Sequence, residues 1–296
     1  MISWSLNPAA NGKIMKPEDH AQKKTGWVHQ GLGWLWCFLV FSFLIMSGCS
    51  RSSTGRGLIV AGSTSVQPFA DRWAEIYMKI HPGETVNVQG GGSSAGIQAT
   101  REGAADIGMS SRELKPDEKD LIEAVVAWDG LAVITHPANP VRALTLDLVR
   151  KIFGGQVRDW RDAGGSGGAI TVVTREEGSG TRGAFQELVM KKTRISKEAI
   201  VEDSNGTVRE IITHDPNAIG YISLGLVIGS VRALVLDGVA PGIENIKTRK
   251  YSLIRPFLFL TKSAPEGKVK LFFDFVLSRD GQELIRQEGL IPVRWE

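Results

Sequence analysis

The stretch "AITVVTREEGSGTRGAFQEL", residues 169–188, passes from a β-branched apolar run, through a Gly/Ser/Thr loop flanked by arginines, into helix-forming residues. Read locally, it is strand, loop, helix. Two other stretches share that form: "AGSTS" (61–65) follows the strand-like "LIVAG", and "QGGGSS" (89–94) follows "TVNVQ". Strands that alternate with helices predict an α/β fold with a mainly parallel sheet, whose ligands sit outside the carboxyl ends of the strands. The polar loops fall at those ends.

Outward from these loops, Val66, Phe69, Ala70, Trp73, Ile76, Tyr77 and Ile80 recur at helical spacing, with Thr64 or Ser65 as N-cap candidates and Pro68 in the first turn. A helix is expected near 116–125, and "GLAVITH" reads as the buried strand after it. The prolines of "HPANP" punctuate the chain where a crossover to another domain is expected. "LTLDLVRKIF" and "SNGTVREII" read as helices, "NAIGYIS" and "SLIRPFLFLTK" as strands, and "LFFDFVLSRDGQELI" as one closing amphipathic helix.

At the other end, "GWLWCFLVFSFLIMSGC" carries no charge, follows Lys23 and Lys24, and reads as a secretory signal of lipoprotein type over 1–48. The "MSGC" ending looks like a lipobox that makes Cys49 the lipidated first residue of the mature chain, with 49–56 as a tether. An uncleaved helical anchor is the competing reading, and Met15 competes with Met1 as the start. With Cys37 in the signal and Cys49 modified, no disulfide is expected, so stability rests on packing. Removing 1–48 lowers the net charge from +3 to about +1, which gives no electrostatic case for nucleic acid.

The three loops carry the chemistry. A helix start presents unpaired N–H groups and partial positive charge, so small residues there admit an anion and hydroxyls add donors. A single loop of this kind is an ordinary N-cap. Three together, with Arg175 at the base of one, favour an anion site, because a guanidinium offers a permanent charge and a planar fork. Glu177, two positions on along an extended segment, is expected to orient Arg175.

"GSTSVQPFADRWAEIY", "QGGGSSAGIQAT", "ADIGMSSREL" and "TREEGSGTRGAFQEL", with "AIGYISLG" and "SRDGQELIRQEGLIPV" further on, resemble the substrate-binding proteins of the bacterial Pst phosphate ABC transporter. The resemblance runs from about Leu58 to the C-terminus. It implies a two-lobed periplasmic-binding-protein fold of type II closing on phosphate. With the crossings near "HPANP" and "YSLIRP", one lobe is expected over 57–136 and 254–296 and the other over 137–253. Carried over position by position, the family's contacts fall on Thr64, Ser65 and Ser93, on Ser111 after the third strand, and on Arg175, Ser179, Gly180 and Thr181. Some members have a carboxylate where this chain has Ser111, and others a Ser-Arg pair as here with Arg112. A monomeric, lipid-anchored protein outside the cytoplasmic membrane, delivering phosphate to permease subunits and through them to an ATPase, is what the resemblance implies.

Two rival readings come from the residues. Gly92-Ser93-Ser94-Ala95-Gly96 matches G-x-S-x-G, which would make Ser94 a hydrolase nucleophile. The histidines after the signal are His81, His136 and His214, and no HGG-type segment precedes the serine, so no enzyme activity is expected. Metal-ligand spacing and the nucleotide P-loop are missing, so no metal or cofactor is expected. A sulfate or molybdate binder of the same architecture is the closer alternative. Arg175 favours phosphate, and the serine at 111 pulls the other way.

Overall fold

The computed structural model describes residues 56–293. The signal segment, almost all of the tether and lipidation at Cys49 lie outside the described residues.

The chain opens with β1 (Leu58–Gly62) and α1 (Gln67–Ile80), which buries Phe69, Ala70, Trp73, Ala74 and Tyr77 on the sheet. Pro68 lies in the first turn of α1 as expected, but Val66 is the N-cap and no side chain caps it. Then come β2 (Val86–Gly90), α2 (Ser93–Glu102) and β3 (Ile107–Ser110). The helix expected near 116–125 is a single 3₁₀ turn, Pro116–Glu118. After a turn, its last residues from Ile122 belong to β4 (Ile122–Thr135), a strand of 14 residues that absorbs "GLAVIT" as well. Strand pairing over its length outweighs the helix-start signal of Pro116-Asp117-Glu118.

β5 (Ala143–Leu144) leads to α3 (Leu146–Phe153), where Thr145 Oγ1 accepts from the Leu148 N–H. β6 (Thr171–Arg175) feeds α4 (Gly180–Phe185), which continues as one wide turn over Gln186–Met190. β7 (Ile200–Glu202), α5 (Asn205–His214) and β8 (Ala218–Ser223) follow, with Ser204 capping α5. After β9 (Arg232–Ala233), β10 (Val235–Leu236) and α6 (Ile243–Lys247), β11 (Ile254–Thr261) returns to the first half. The expected single closing helix is two, α7 (Gly267–Val276) and α8 (Arg279–Gln287). The break comes at Ser278, whose Oγ accepts from the Gly281 N–H and starts a new helix.

The main sheet runs β2-β1-β3-β11-β4-β8-β6-β7, with β9 also on β4. It is mixed rather than mainly parallel. β2-β1-β3 and β7-β6-β8 are parallel groups, and the antiparallel strands β11 and β4 join them. β4 pairs with β11 through Gly130 and with β8 from Leu131 onward. The chain therefore changes sides inside β4, ahead of the expected crossing at "HPANP". Proline punctuation marks the end of the strand, not the change of partner. At the other end the Leu131 N–H still donates to the Leu253 carbonyl, and Ile254 opens β11 opposite Gly130.

Each half has its own apolar core. One packs Trp73, Tyr77, Phe257, Phe259 and Phe272 around α1, β11 and α7. The other gathers Phe153, Phe185, Tyr221, Trp160 and Tyr251. Phe185 stacks on Tyr221 at 3.9 Å between centroids, which seats α4 against β8 and sets the height of the loop before it.

Candidate functional site

Arg175 is the last residue of β6, and its side chain is fully buried where the two halves meet. The strand end is held by Tyr221, whose hydroxyl accepts the Arg175 N–H (3.3 Å) and pairs with Thr174 Oγ1 (2.7 Å). The guanidinium donates from Nε and Nη2 to the Glu176 carboxylate (3.0 Å each), from Nη2 to the Asp203 carbonyl (2.8 Å), and from Nη2 across the seam to Thr64 Oγ1 (2.9 Å). Nη1, among the described residues, is buried with no hydrogen-bond partner. A buried cationic N–H left open in this way is costly unless an acceptor meets it.

The orienting carboxylate is Glu176, not Glu177. β6 ends at Arg175, so the alternation that would return Glu177 to the same face stops there. The chain turns, Glu176 folds back as a fork onto the guanidinium, and the Glu177 side chain is 94% exposed, 4.0 Å from Arg182. Arg182 donates to the Arg175 carbonyl (2.6 Å), so it braces the loop.

The other sequence-predicted positions converge on the same seam. Ser65 Oγ lies 2.5 Å from Thr181 Oγ1. Ser93 Oγ accepts the Ser111 N–H (3.1 Å), and Ser63 Oγ donates to Ser111 Oγ (2.8 Å). Ser179 caps α4 by accepting the Arg182 N–H (3.3 Å), which leaves the Gly180 and Thr181 N–H groups of the first turn unused by the helix. At Gly180 a Cβ would collide with Ser93 Oγ and sit 2.5 Å from Ser111 Oγ, so only glycine lets the two loops approach this closely. The Ser94 N–H donates to the Gly178 carbonyl (3.1 Å), a further backbone link across the seam. Cavities of about 280 and 410 Å³ lie elsewhere, beside Thr261 and beside Trp128, and none of these polar residues lines them.

Sequence reasoning missed a second layer. Arg255 of β11 and Asp129 of β4 are buried and paired, with Nε and Nη2 at 2.9 and 2.8 Å from Asp129 Oδ2. Arg255 Nη1 donates to Thr181 Oγ1 (2.9 Å) and to the Ser111 carbonyl (3.3 Å), so it touches both halves. Burial pushes the Asp129 carboxyl up from its ordinary value, against the opposing pull of Arg255 and of the Ser223 hydroxyl. Asn205 donates to Ser65 Oγ (2.8 Å) and accepts the Ser223 N–H (3.2 Å). The usable signal was a lone charge inside each of two apolar runs, "AVVAWDGLAV" and "LIRPFLFL", with opposite signs.

Arg112 does not face solvent. It forms a two-point pair with Glu118 (2.6 and 2.8 Å), reaches Ser94 Oγ at 3.4 Å and packs under Gly183. Burial raises the Glu118 carboxyl, but the hydrogen bonds from Arg112 and the Lys115 N–H outweigh it and hold the carboxyl below its ordinary value. A depressed carboxyl contributes stability above its unfolded pKa, and that contribution is lost as pH falls through the folded value. Glu118→Gln should therefore cost about 2 kcal/mol near neutral pH, with the difference from the parent closing below about pH 4 in denaturant titrations.

Among the described residues Ser94 has no histidine partner. His81 packs on Tyr77, His136 Nδ1 accepts from the Ala138 N–H, and His214 Nδ1 pairs with Glu210. The side chain that reaches Ser94 Oγ is Arg112, a donor and not a base. Among the described residues no cluster of three or more metal-ligating side chains occurs.

The geometry has counterparts in known proteins. Residues 49–280 match the model of the PBP superfamily domain. The phosphate-binding protein PstS of Bacillus subtilis (strain 168) is 36% identical over 242 residues, 80% of each chain. A proposed phosphate ABC transporter substrate-binding protein from Clostridium perfringens, crystallised with bound phosphate, is 40% identical, with a TM-score of 0.78 over 81% of this chain and 100% of that one. An ABC-type phosphate transport receptor from Vibrio cholerae is 38% identical, with a TM-score of 0.68 over 79% and 99%. With its buried arginine at a seam of hydroxyls and small residues, this chain belongs to the PstS phosphate-binding protein family.

Proposed function

We propose that this chain binds inorganic phosphate between its two halves and delivers it to an ABC permease for import. The observation that carries the reading is Arg175: a fully buried guanidinium with Nη1 unpartnered among the described residues, where hydroxyls of both halves meet. The Arg175 fork, Ser65, Ser93, Ser179, Thr181 and the first-turn N–H groups of α4 make a set of donors for a tetrahedral oxyanion. No chemical step is part of this function. Binding shifts the population toward the closed arrangement, which the permease recognises. The two lobes pivot on β4 and β11, one built on 57–130 with 254–293 and the other on the residues between. PstS-type proteins act outside the cytoplasm. Export by 1–48, attachment through lipid at Cys49, action as a monomer and coupling through the permease to its ATPase complete the proposal.

Selectivity over sulfate falls to Ser111. Phosphate keeps a proton near neutral pH and sulfate has none, so a site that accepts a P–OH hydrogen bond discriminates between them. Ser63 Oγ takes the Ser65 N–H (3.2 Å) and the Val66 N–H (3.4 Å), so its own hydrogen goes to Ser111 Oγ. That leaves Ser111 one lone pair for a P–OH. Calorimetry on the chain from residue 50 onward should show phosphate bound far more tightly than sulfate, and Ser111→Ala should narrow the gap by about 10-fold. Sulfate binding as tight as phosphate would overturn the phosphate assignment in favour of another oxyanion.

A further inference from the structure

Six residues from both halves close a ring of hydrogen bonds behind the site. Arg255 Nε donates to Asp129 Oδ2 and Arg255 Nη1 to Thr181 Oγ1; Thr181 Oγ1 shares a hydrogen with Ser65 Oγ. Asn205 Nδ2 donates to Ser65 Oγ, the Ser223 N–H donates to Asn205 Oδ1, and Ser223 Oγ donates to Asp129 Oδ1. The ring joins β4, β11, the β1–α1 loop, α4, α5 and β8.

Its polarity is fixed. A backbone N–H only donates, so the atom of Asn205 facing Ser223 is the oxygen and the amide nitrogen must face Ser65. A guanidinium also only donates, so Thr181 Oγ1 must accept from Arg255. One hydrogen bridges the two hydroxyls. If Thr181 supplies it, both Ser65 lone pairs are taken and the Ser65 hydrogen points outward. If Ser65 supplies it, both Thr181 lone pairs are taken and the Thr181 hydrogen points outward. Either way, the hydroxyl with the outward hydrogen has nothing left with which to accept.

We infer that Asn205 and Arg255 are positioning residues that guarantee one outward hydrogen from the Ser65–Thr181 pair, so that this corner of the site donates to an unprotonated oxygen of the anion. The inference rests on the phosphate reading. It divides the site in two, with the protonated oxygen directed to Ser111 and the bare one to Ser65 and Thr181. Neither Asn205 nor Arg255 needs to touch the ligand.

Asn205→Ala removes the inward donor, and Asn205→Asp replaces it with an acceptor that pulls the Ser65 hydrogen away from the anion. The charged groups around position 205 include Asp203, whose carboxylate accepts from Thr207 Oγ1, and Arg209 of the same helix, with Arg255 and Asp129 of the ring and Arg175, which bonds the Asp203 carbonyl. Phosphate titrations by calorimetry, each variant against the parent at the same pH, should show Asn205→Ala weaker by about 10-fold across the range. Asn205→Asp should be weaker by more than about 100-fold near pH 8 and should recover towards the parent as acid protonates the new carboxyl and restores a donor. Simple charge repulsion predicts the recovery but leaves Asn205→Ala unchanged, so phosphate affinity of Asn205→Ala within about twofold of the parent overturns the assignment. Melting of each apo variant reports folding; should Asn205→Asp not fold, Asn205→Ala decides alone. No phosphate binding by the parent overturns the phosphate reading and this assignment with it, whereas parent binding with an indifferent alanine variant overturns this assignment only.

Discussion

Arg175→Ala is expected to reduce phosphate affinity by at least about 100-fold. Two charge-assisted hydrogen bonds to an anion, at about 1.5–3 kcal/mol each, set that scale. The loss has a second source. Removing the guanidinium leaves the Glu176 carboxylate and the Asp203 carbonyl without their donor, so a negative group lies beside the anion where a positive one stood. Arg175→Lys should fall between parent and alanine, since an ammonium keeps the charge but cannot reach Glu176, Thr64 and a ligand from one rigid plane. Calorimetry with phosphate decides both variants. Arg175→Ala binding within about threefold of the parent would remove Arg175 from the site.

The second large effect concerns folding. Arg255→Ala should destabilise the chain by about 3–5 kcal/mol in denaturant titrations, because it strands Asp129, fully buried, without its counter-charge. The double replacement Asp129→Leu with Arg255→Met should regain most of that loss, since a buried ion pair is seldom more stable than well-packed apolar side chains. Phosphate affinity should stay about 10-fold below the parent's, because Thr181 would still lack the Arg255 donor. Stability and affinity then separate within one pair. A double variant as unstable as Arg255→Ala would show that the pair does more than neutralise itself.

These two arginines also mark how far the sequence could be read. Arg175 was legible because it stands at a strand end beside Gly, Ser and Thr, where local chemistry and the family pattern agree. Thr64, Ser65, Ser93, Ser111, Ser179, Gly180 and Thr181 were legible for the same reason, and the structure brings them to one seam. Arg255 was hidden because "SLIRPFLFLTK" reads as an ordinary apolar strand, and its partner lies in another strand far away in sequence. Asn205 was hidden inside a helix-start motif, where a polar residue needs no further explanation. Glu177 was misassigned because strand alternation was carried one residue past the end of β6. The helix expected near 116–125 and the single closing helix failed differently. Local start signals were read correctly, but what followed was decided by pairing with β11 in the first case and by the Ser278 cap in the second.

β11 carries a consequence for how the chain acquires its fold. β3 has β1 on one side and β11 on the other, and β11 is supplied by residues 254–261, near the end of the chain. A polypeptide that emerges N-terminus first therefore completes β1, β2 and β3 long before their last neighbour exists. Until then one edge of β3 presents unpaired backbone and an uncovered apolar face, the kind of surface that pairs with other chains. The interior Arg255 sits in the strand that closes this gap, so the last strand to arrive also brings the charge that fixes Thr181. Assembly of the first half and completion of the seam at Thr181 are thus one late event in the history of each molecule.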